Sequence, residues 1–180
     1  MKGLYIHIPF CAVKCGYCDF YSIKYNPETA NQYKNELVRR LCEMDDVFDT
    51  VYFGGGTPSM IGADAICEIL SHINYTKDAE ITVECNPRAY KPDFFQKISK
   101  CGVNRVSIGL QSANDSELTF LTRNQTADDV SRTIELCKSS GIDNISLDVM
   151  LGIPYQTNES LKETLDFVIE SEVPHISAYM

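Results

Sequence analysis

Three cysteines in the stretch LYIHIPFCAVKCGYCDF carry the residue types for metal chemistry: Cys11, Cys15 and Cys18 follow a short apolar run that stops at Pro9. At CxxxCxxC spacing neither gap leaves slack to point a sulfur elsewhere, so all three thiolates are expected to turn inward onto one inorganic centre. Structural zinc normally takes four protein ligands, with two separated CxxC-like pairs as its signature, and the chain has no second pair. A cubane iron-sulfur cluster held by three thiolates keeps one iron free of protein, and an open iron can bind a substrate. The competing readings are a small apolar loop and a zinc site that borrows His7. A glycine triplet, Gly54 to Gly56, precedes Thr57 and Pro58. Its lack of side chains lets main chain come close to a ligand, although alone such a triplet is more often a turn.

The elements that must position these residues repeat as strand then helix. Asn26 and Pro27 cap a helix carrying Tyr33, Leu37, Leu41 and Met44 on one face. Thr50 to Phe53 reads as a strand ended by Gly54, and Ala63 to Ile73 as a helix with Ile66, Ile69, Leu70 and Ile73 at helical spacing. Glu80 to Cys85 is a strand and Asp93 to Cys101 a helix stopped by Gly102. There a refrain begins: GVNRVSI from Gly102 returns as GIDNISL from Gly141, and as VPHISA from Val173 without its glycine. Each glycine suits a left-handed helix cap and each refrain becomes a strand. Further helices are expected from near Asn114, with Glu117 at capping-box spacing, from Thr126, with Asp129 likewise, and from Asn158.

The strands have two unlike faces. Strands covered by helices on both sides tend to run continuously apolar, but here Leu4, Ile6 and Ile8 alternate with Tyr5 and His7, and Ile81 and Val83 with Thr82 and Glu84. Val106, Ile108 and Leu110 alternate with Ser107, Gly109 and Gln111, and Ile145, Leu147 and Val149 with Ser146 and Asp148. Helices must cover the apolar face, so the polar set lines an interior, which costs stability unless water or a polar ligand satisfies it. The expected fold is α/β, a partial (β/α)6 TIM-like barrel of parallel strands, forming one domain over residues 1–180. Its carboxyl-terminal mouth gathers the cysteine loop, Gly54 to Pro58, Glu84, Gln111 and Asp148. Glu84 is read either as a structural partner of Arg105 or Arg123 or as a ligand contact, and Gln111, Arg123 and Asp148 carry the same two readings. His7 faces inward with Tyr5, and His72 and His175 are read as structural.

Composition narrows the partners. A net charge of −9 and a pI near 4.8 do not suit a surface built to neutralise phosphates, so nucleic acid is not expected. With no apolar segment long enough to span a bilayer and no cleavage pattern, a cytoplasmic location is expected. Cys42, Cys67, Cys85, Cys101 and Cys137 sit among apolar residues and read as small buried hydrophobes rather than disulfide partners. The chain stops at HISAYM inside the sixth strand, so a truncated core is expected; a natural end there would favour dimerisation through the bare edge.

CxxxCxxC with Tyr17 before the third cysteine resembles the cluster loop of the radical S-adenosylmethionine (SAM) enzymes. The strings YIHIPFC, GGGTP and SIGLQS narrow the resemblance, over essentially the whole chain, to the oxygen-independent coproporphyrinogen III oxidase group, which includes a heme-chaperone branch. The resemblance implies a 4Fe-4S cluster on Cys11, Cys15 and Cys18, with cluster-bound SAM contacted by Tyr5, Gly55 and Glu84. It places Tyr17, Gly56, Thr57, Gln111, Arg123 and Asp148 around a second SAM or whatever fills that volume. It also implies reductive cleavage of SAM to methionine and a 5′-deoxyadenosyl radical, fed by a low-potential donor such as flavodoxin or ferredoxin, with no residue assigned as catalytic. True oxidases of the group carry one more cysteine two residues after the third, whereas Cys18 here is followed by Asp19 and Phe20, as in the heme-chaperone branch. The resulting reading is a radical SAM protein of tetrapyrrole metabolism that binds heme and delivers it to acceptors that include membrane proteins. Oxidative decarboxylation of coproporphyrinogen III is the alternative, and a zinc-stapled binding module without SAM chemistry the second.

Overall fold

The computed structural model describes all residues from Met1 to Met180. Strand β1 (Gly3–Ile8) leads through β2 (Phe10–Cys11), the cysteine loop and β3 (Ile23–Lys24) into α1 (Pro27–Leu41). There follow β4 (Val47–Gly55), a 3-10 turn (Pro58–Ile61), α2 (Ala63–Leu70), β5 (Asn74–Cys85), α3 (Phe94–Lys100) and β6 (Arg105–Gln111). The chain then runs through α4 (Asp115–Phe120), α5 (Ala127–Ser139), β7 (Asn144–Met150), α6 (Asn158–Glu170) and β8 (His175–Tyr179). Strands β1, β4, β5, β6, β7 and β8 pair in that order, all parallel, as one six-stranded sheet. This is the α/β partial barrel that the alternating strands imply. β4 and β5 start earlier than their apolar runs, because Val47 and Phe48 pair with Asn74 and Tyr75 beyond a register shift.

Local signals fix the joints. Asn26 Oδ1 accepts the Thr29 amide at 3.0 Å to start α1, and a reciprocal Thr126–Asp129 capping box starts α5. Gly102 and Gly141 take positive φ after their helices, 109° and 82°. At the third refrain the same left-handed step falls on Glu172, with φ 50°, where a side chain costs about 1–2 kcal/mol. Asn114 caps α4 by accepting from Ser116 N and Glu117 N, but the Glu117 side chain does not complete the expected capping box; it turns inward instead.

The apolar set of each strand lies under the helices. Ile6, Ile8, Val51, Phe53, Ile81, Val83, Val106, Ile108, Leu110, Ile145, Leu147 and Val149 are buried in one cluster with Ile66, Ile69 and Leu70 of α2, Phe94, Phe95 and Ile98 of α3, and Val130 and Ile134 of α5. The opposite faces carry the polar set, of which Thr82, Ser107 and Ser146 are buried. Two cysteine expectations are corrected. Cys67 on α2 and Cys101 beyond α3 are paired in a disulfide with Cα atoms 5.6 Å apart, because the packing of these helices brings their faces together. Cys42 is exposed, while Cys85 and Cys137 are buried as expected. No helix is long and apolar enough to cross a membrane.

Candidate functional site

The cysteine loop is fastened at its base. Phe10 pairs with Ile23 and Cys11 with Lys24, Ile23 N donates to Pro9 O at 2.7 Å and Tyr25 N to Cys11 O at 2.8 Å. The buried Phe10 ring packs edge-on against Tyr25 and Tyr33, so both ends of the loop leave from one packed stem. Cys11, Cys15 and Cys18 are all half-buried free thiols on this loop. Thr57 Oγ1 reaches Cys11 Sγ at 3.6 Å, and Gly16 N donates to Thr122 Oγ1 at 3.2 Å. No three His, Cys, Asp or Glu side chains of the ligand-free chain form a ready-made site for a single ion, so the shared loop, rather than side-chain contact, is what the structure shows the three sulfurs to have in common. The shared loop sets which rim the sulfurs occupy. His7 is committed elsewhere, with Nε2 2.9 Å from Tyr21 O and Nδ1 3.3 Å from Tyr5 Oη.

The glycine triplet sits against this stem. A Cβ on Gly54 would lie within 3.0 Å of Tyr5, Tyr52 and Glu84 side chains, and one on Gly55, whose φ is 111°, would lie 2.6 Å from the His7 ring. A Cβ on Gly56 would meet only main chain, Phe10 N at 2.8 Å and Ile8 O at 2.9 Å. Close approach here therefore serves the chain's own stem as well as any ligand. Glu84 faces the interior beside the triplet. It pairs with neither Arg105 nor Arg123, and accepts instead from Tyr52 Oη at 2.9 Å and Gly55 N at 3.2 Å. Tyr5, 56% exposed, stacks on Tyr52 with ring centroids 6.0 Å apart.

Across the mouth, the phenol of Tyr17 accepts from Arg123 Nε at 3.2 Å and Nη2 at 3.0 Å. Arg123 Nη1 donates to Gly109 O at 3.1 Å and Gln125 Oε1 at 2.9 Å. A Cβ on Gly109 would lie 3.0 Å from both Arg123 Nη1 and Gln111 Nε2, so the missing side chain makes room for a guanidinium and an amide to meet. Asp148 Oδ1 accepts from Ser107 Oγ at 2.9 Å. The structure thus gathers Tyr5, Tyr17, the glycines, Thr57, Glu84, Gln111, Arg123 and Asp148 along the interior and upper rim, next to the cysteine loop.

With that geometry in place, the family model of the radical SAM superfamily matches residues 5–168. The chain belongs to the radical SAM superfamily. Among curated relatives of this radical SAM chain, the heme chaperone HemW of Haemophilus influenzae is 36% identical over 191 residues, covering 98% of the chain and 50% of that protein. HemW of Escherichia coli is 36% identical over 188 residues, with the same two shares. Among solved structures, the coproporphyrinogen III oxidase HemN of Escherichia coli superposes with a TM-score of 0.90 at 26% identity, covering 99% of the chain and 44% of that protein. The chain spans about half the length of the curated relatives it matches.

Three residues that bond or stack with these candidates or their neighbours, Tyr52, Gln125 and Glu117, were not singled out from the sequence as site residues. Tyr52 could have been found by alternation, since it pairs in register with Tyr5 and Thr82. Gln125 gave no local signal, and the one at Glu117, its capping-box spacing from Asn114, pointed to a helix start rather than to the mouth. Burial lifts the Glu84 carboxyl above its ordinary range, against the bond from Tyr52, and burial lifts Asp148 likewise, against the bond from Ser107. Both carboxyls hold their protons more tightly in the native state than in the unfolded chain. Between the ordinary carboxylate range and the raised values the native state binds more protons, so stability falls as pH rises and levels once both are ionised. Urea midpoints of the cluster-free chain from about pH 4 to about pH 8 should show this decline, and Glu84→Gln should flatten part of it. A profile that Glu84→Gln leaves untouched would remove Glu84 from this explanation.

Proposed function

We propose that this chain is the SAM-binding core of a heme chaperone. The observation that carries the choice is Cys18-Asp19-Phe20: the loop offers three cysteines where oxidases of the group add a fourth, and the likeness to heme chaperones at 36% identity supports it. Three free, half-buried thiols on one stapled loop suit a 4Fe-4S cluster with one iron left open, so Cys11, Cys15 and Cys18 are its proposed ligands. A zinc staple is less well supported, because His7 already spends both ring nitrogens on Tyr21 and Tyr5.

Bound cluster and SAM would supply reductive cleavage of the sulfonium, with the electron from a low-potential donor such as flavodoxin or ferredoxin. The chain's own part is to bind, orient and exclude water. Tyr5, Gly55 and Glu84 are proposed to hold the cluster-bound SAM: Glu84 offers a carboxylate oxygen to a ribose hydroxyl or the methionyl ammonium, and Tyr52 fixes its orientation. Tyr17, Gly56, Thr57, Gln111, Arg123 and Asp148 border the volume proposed for a second SAM or other ligand. Heme is the proposed cargo and membrane-bound heme acceptors its proposed destination, within the cytoplasm.

A second reading, oxidation of coproporphyrinogen III, is favoured by the likeness to HemN. The intact protein, reconstituted anaerobically, separates the two. Stable heme binding followed by absorbance, with transfer to an apo-acceptor and little protoporphyrinogen formed from coproporphyrinogen III, SAM and reductant, is the expected result. Substantial protoporphyrinogen formation would overturn the chaperone choice.

A further inference from the structure

We propose that Glu117 is a positioning residue that holds the Gln111 amide at the SAM-facing rim, an inference that rests on the SAM-binding reading above. β6 ends in a conformation its sequence does not favour. Gln111 has φ 67°, is 2% exposed, and Ser112 N donates back to Leu110 O at 2.9 Å. This closes a three-residue turn around Gln111, of the positive-φ kind that is rare and strained for a residue with a side chain. Pairing with β7 slips between Gly109 and Gln111. The turn sends the amide back over Gly109, where Nε2 shares the vacant side-chain space with Arg123, while Oε1 accepts from Tyr179 Oη.

Such a turn persists only if its surroundings over-determine it. Upstream, Gln125 Nε2 donates to Gly109 O at 2.6 Å and Leu110 O at 2.9 Å. Downstream, Ser112 Oγ accepts from Asn114 N at 2.9 Å and donates to Glu117 Oε2 at 2.6 Å. Glu117 is 4% exposed, and its other partners are Ser160 Oγ at 2.5 Å and Gln156 Nε2 at 3.2 Å. A carboxylate buried among neutral donors is costly unless those bonds are made. Gln156 Oε1 in turn accepts from Gly152 N at 2.9 Å, in the connection that follows β7. One buried carboxylate therefore ties the turn after β6 to the loop after β7, the two strands that carry Gln111 and Asp148. Glu117 reaches the mouth through Ser112 and touches no ligand itself.

The test uses the intact protein with Glu117→Ala, Glu117→Gln, Gln111→Ala and the Glu117→Ala/Gln111→Ala pair, and S-adenosylhomocysteine as an unreactive probe. In cluster-free protein, Glu117→Ala should raise deuterium uptake over residues 109–118. In reconstituted protein with unchanged iron content, it should weaken probe binding by about tenfold. Glu117→Gln, which keeps one acceptor for Ser112, should recover part of this. Because both changes remove the same positioned amide, the double variant should bind no more weakly than Gln111→Ala alone. A merely structural Glu117 would lower the melting midpoint and leave probe affinity unchanged; that outcome, unchanged uptake, or additive losses in the double variant would overturn the proposal. If Glu117→Ala does not fold, Glu117→Gln alone carries the same comparisons. Failure of the unaltered protein to bind the probe would sink the SAM reading instead, and uptake in the cluster-free protein would still decide whether Glu117 holds the turn.

Discussion

Cys15→Ser protein, reconstituted anaerobically, is expected to stay colourless and hold almost no iron, where the unaltered protein should take up about four atoms per chain if the proposed cluster assembles. Its fold should be intact, with a melting midpoint within about 2 °C of the cluster-free parent. The two halves of this expectation have separate grounds. Cys15 is half-buried and unpaired, and the loop that bears it is secured at its stem by main-chain bonds and the Phe10 ring rather than by the thiol. The apolar cluster lies on the other face of the strands. Iron analysis and thermal melts read the two halves independently. Full iron retention would refute the ligand assignment, and a collapsed melt would refute the separation of loop from core.

Gly56→Ala should do what the cysteine change does not. The added methyl would lie 2.8 Å from Phe10 N and 2.9 Å from Ile8 O and Phe10 O. A side chain can rotate away from such a clash, but these atoms belong to the stem itself. Moving them breaks the bonds from Gly56 N to Ile8 O and from Thr57 N to Phe10 O, each 2.8 Å. The expected loss is about 2–4 kcal/mol, read as a lower urea midpoint with an unchanged slope, together with lower iron content. As a control, Gly62→Ala meets nothing within 4 Å. It bears only the backbone cost of a side chain at φ 85° and ψ 160°, about 1–3 kcal/mol, and should leave the iron content unchanged. Equal stability of Gly56→Ala and the parent would mean that the stem does not pack as described.

The barrel was legible because its cause is written residue by residue. Alternation of Ile6 and Ile8 with Tyr5 and His7, or of Ile145 and Leu147 with Ser146 and Asp148, states which face meets the helices, and a parallel sheet with one polar face has few ways to cover itself. Thr126 and Asp129 announced a helix start because the bonds involved span three residues. What stayed hidden depends on contacts distant in sequence. Glu117 looked like the second half of a capping box until Ser160 and Gln156 drew its carboxylate away. Cys67 and Cys101 looked like ordinary apolar fillers, since only the packing of two helices makes them neighbours. The left-handed turn at Gln111 had no glycine to mark it.

Three neighbouring glycines are confined by three different obstacles, and this bears on how the sequence can drift. At Gly54 and Gly55 the obstacle is another residue's side chain, so a larger residue could in principle be tolerated after a smaller partner is acquired, although φ at Gly55 adds its own barrier. At Gly56 no single compensating substitution exists, because changing Ile8 or Phe10 leaves their main-chain atoms where they are. Among descendants of this chain, the third glycine should therefore outlast the tyrosines and histidine that crowd the first two.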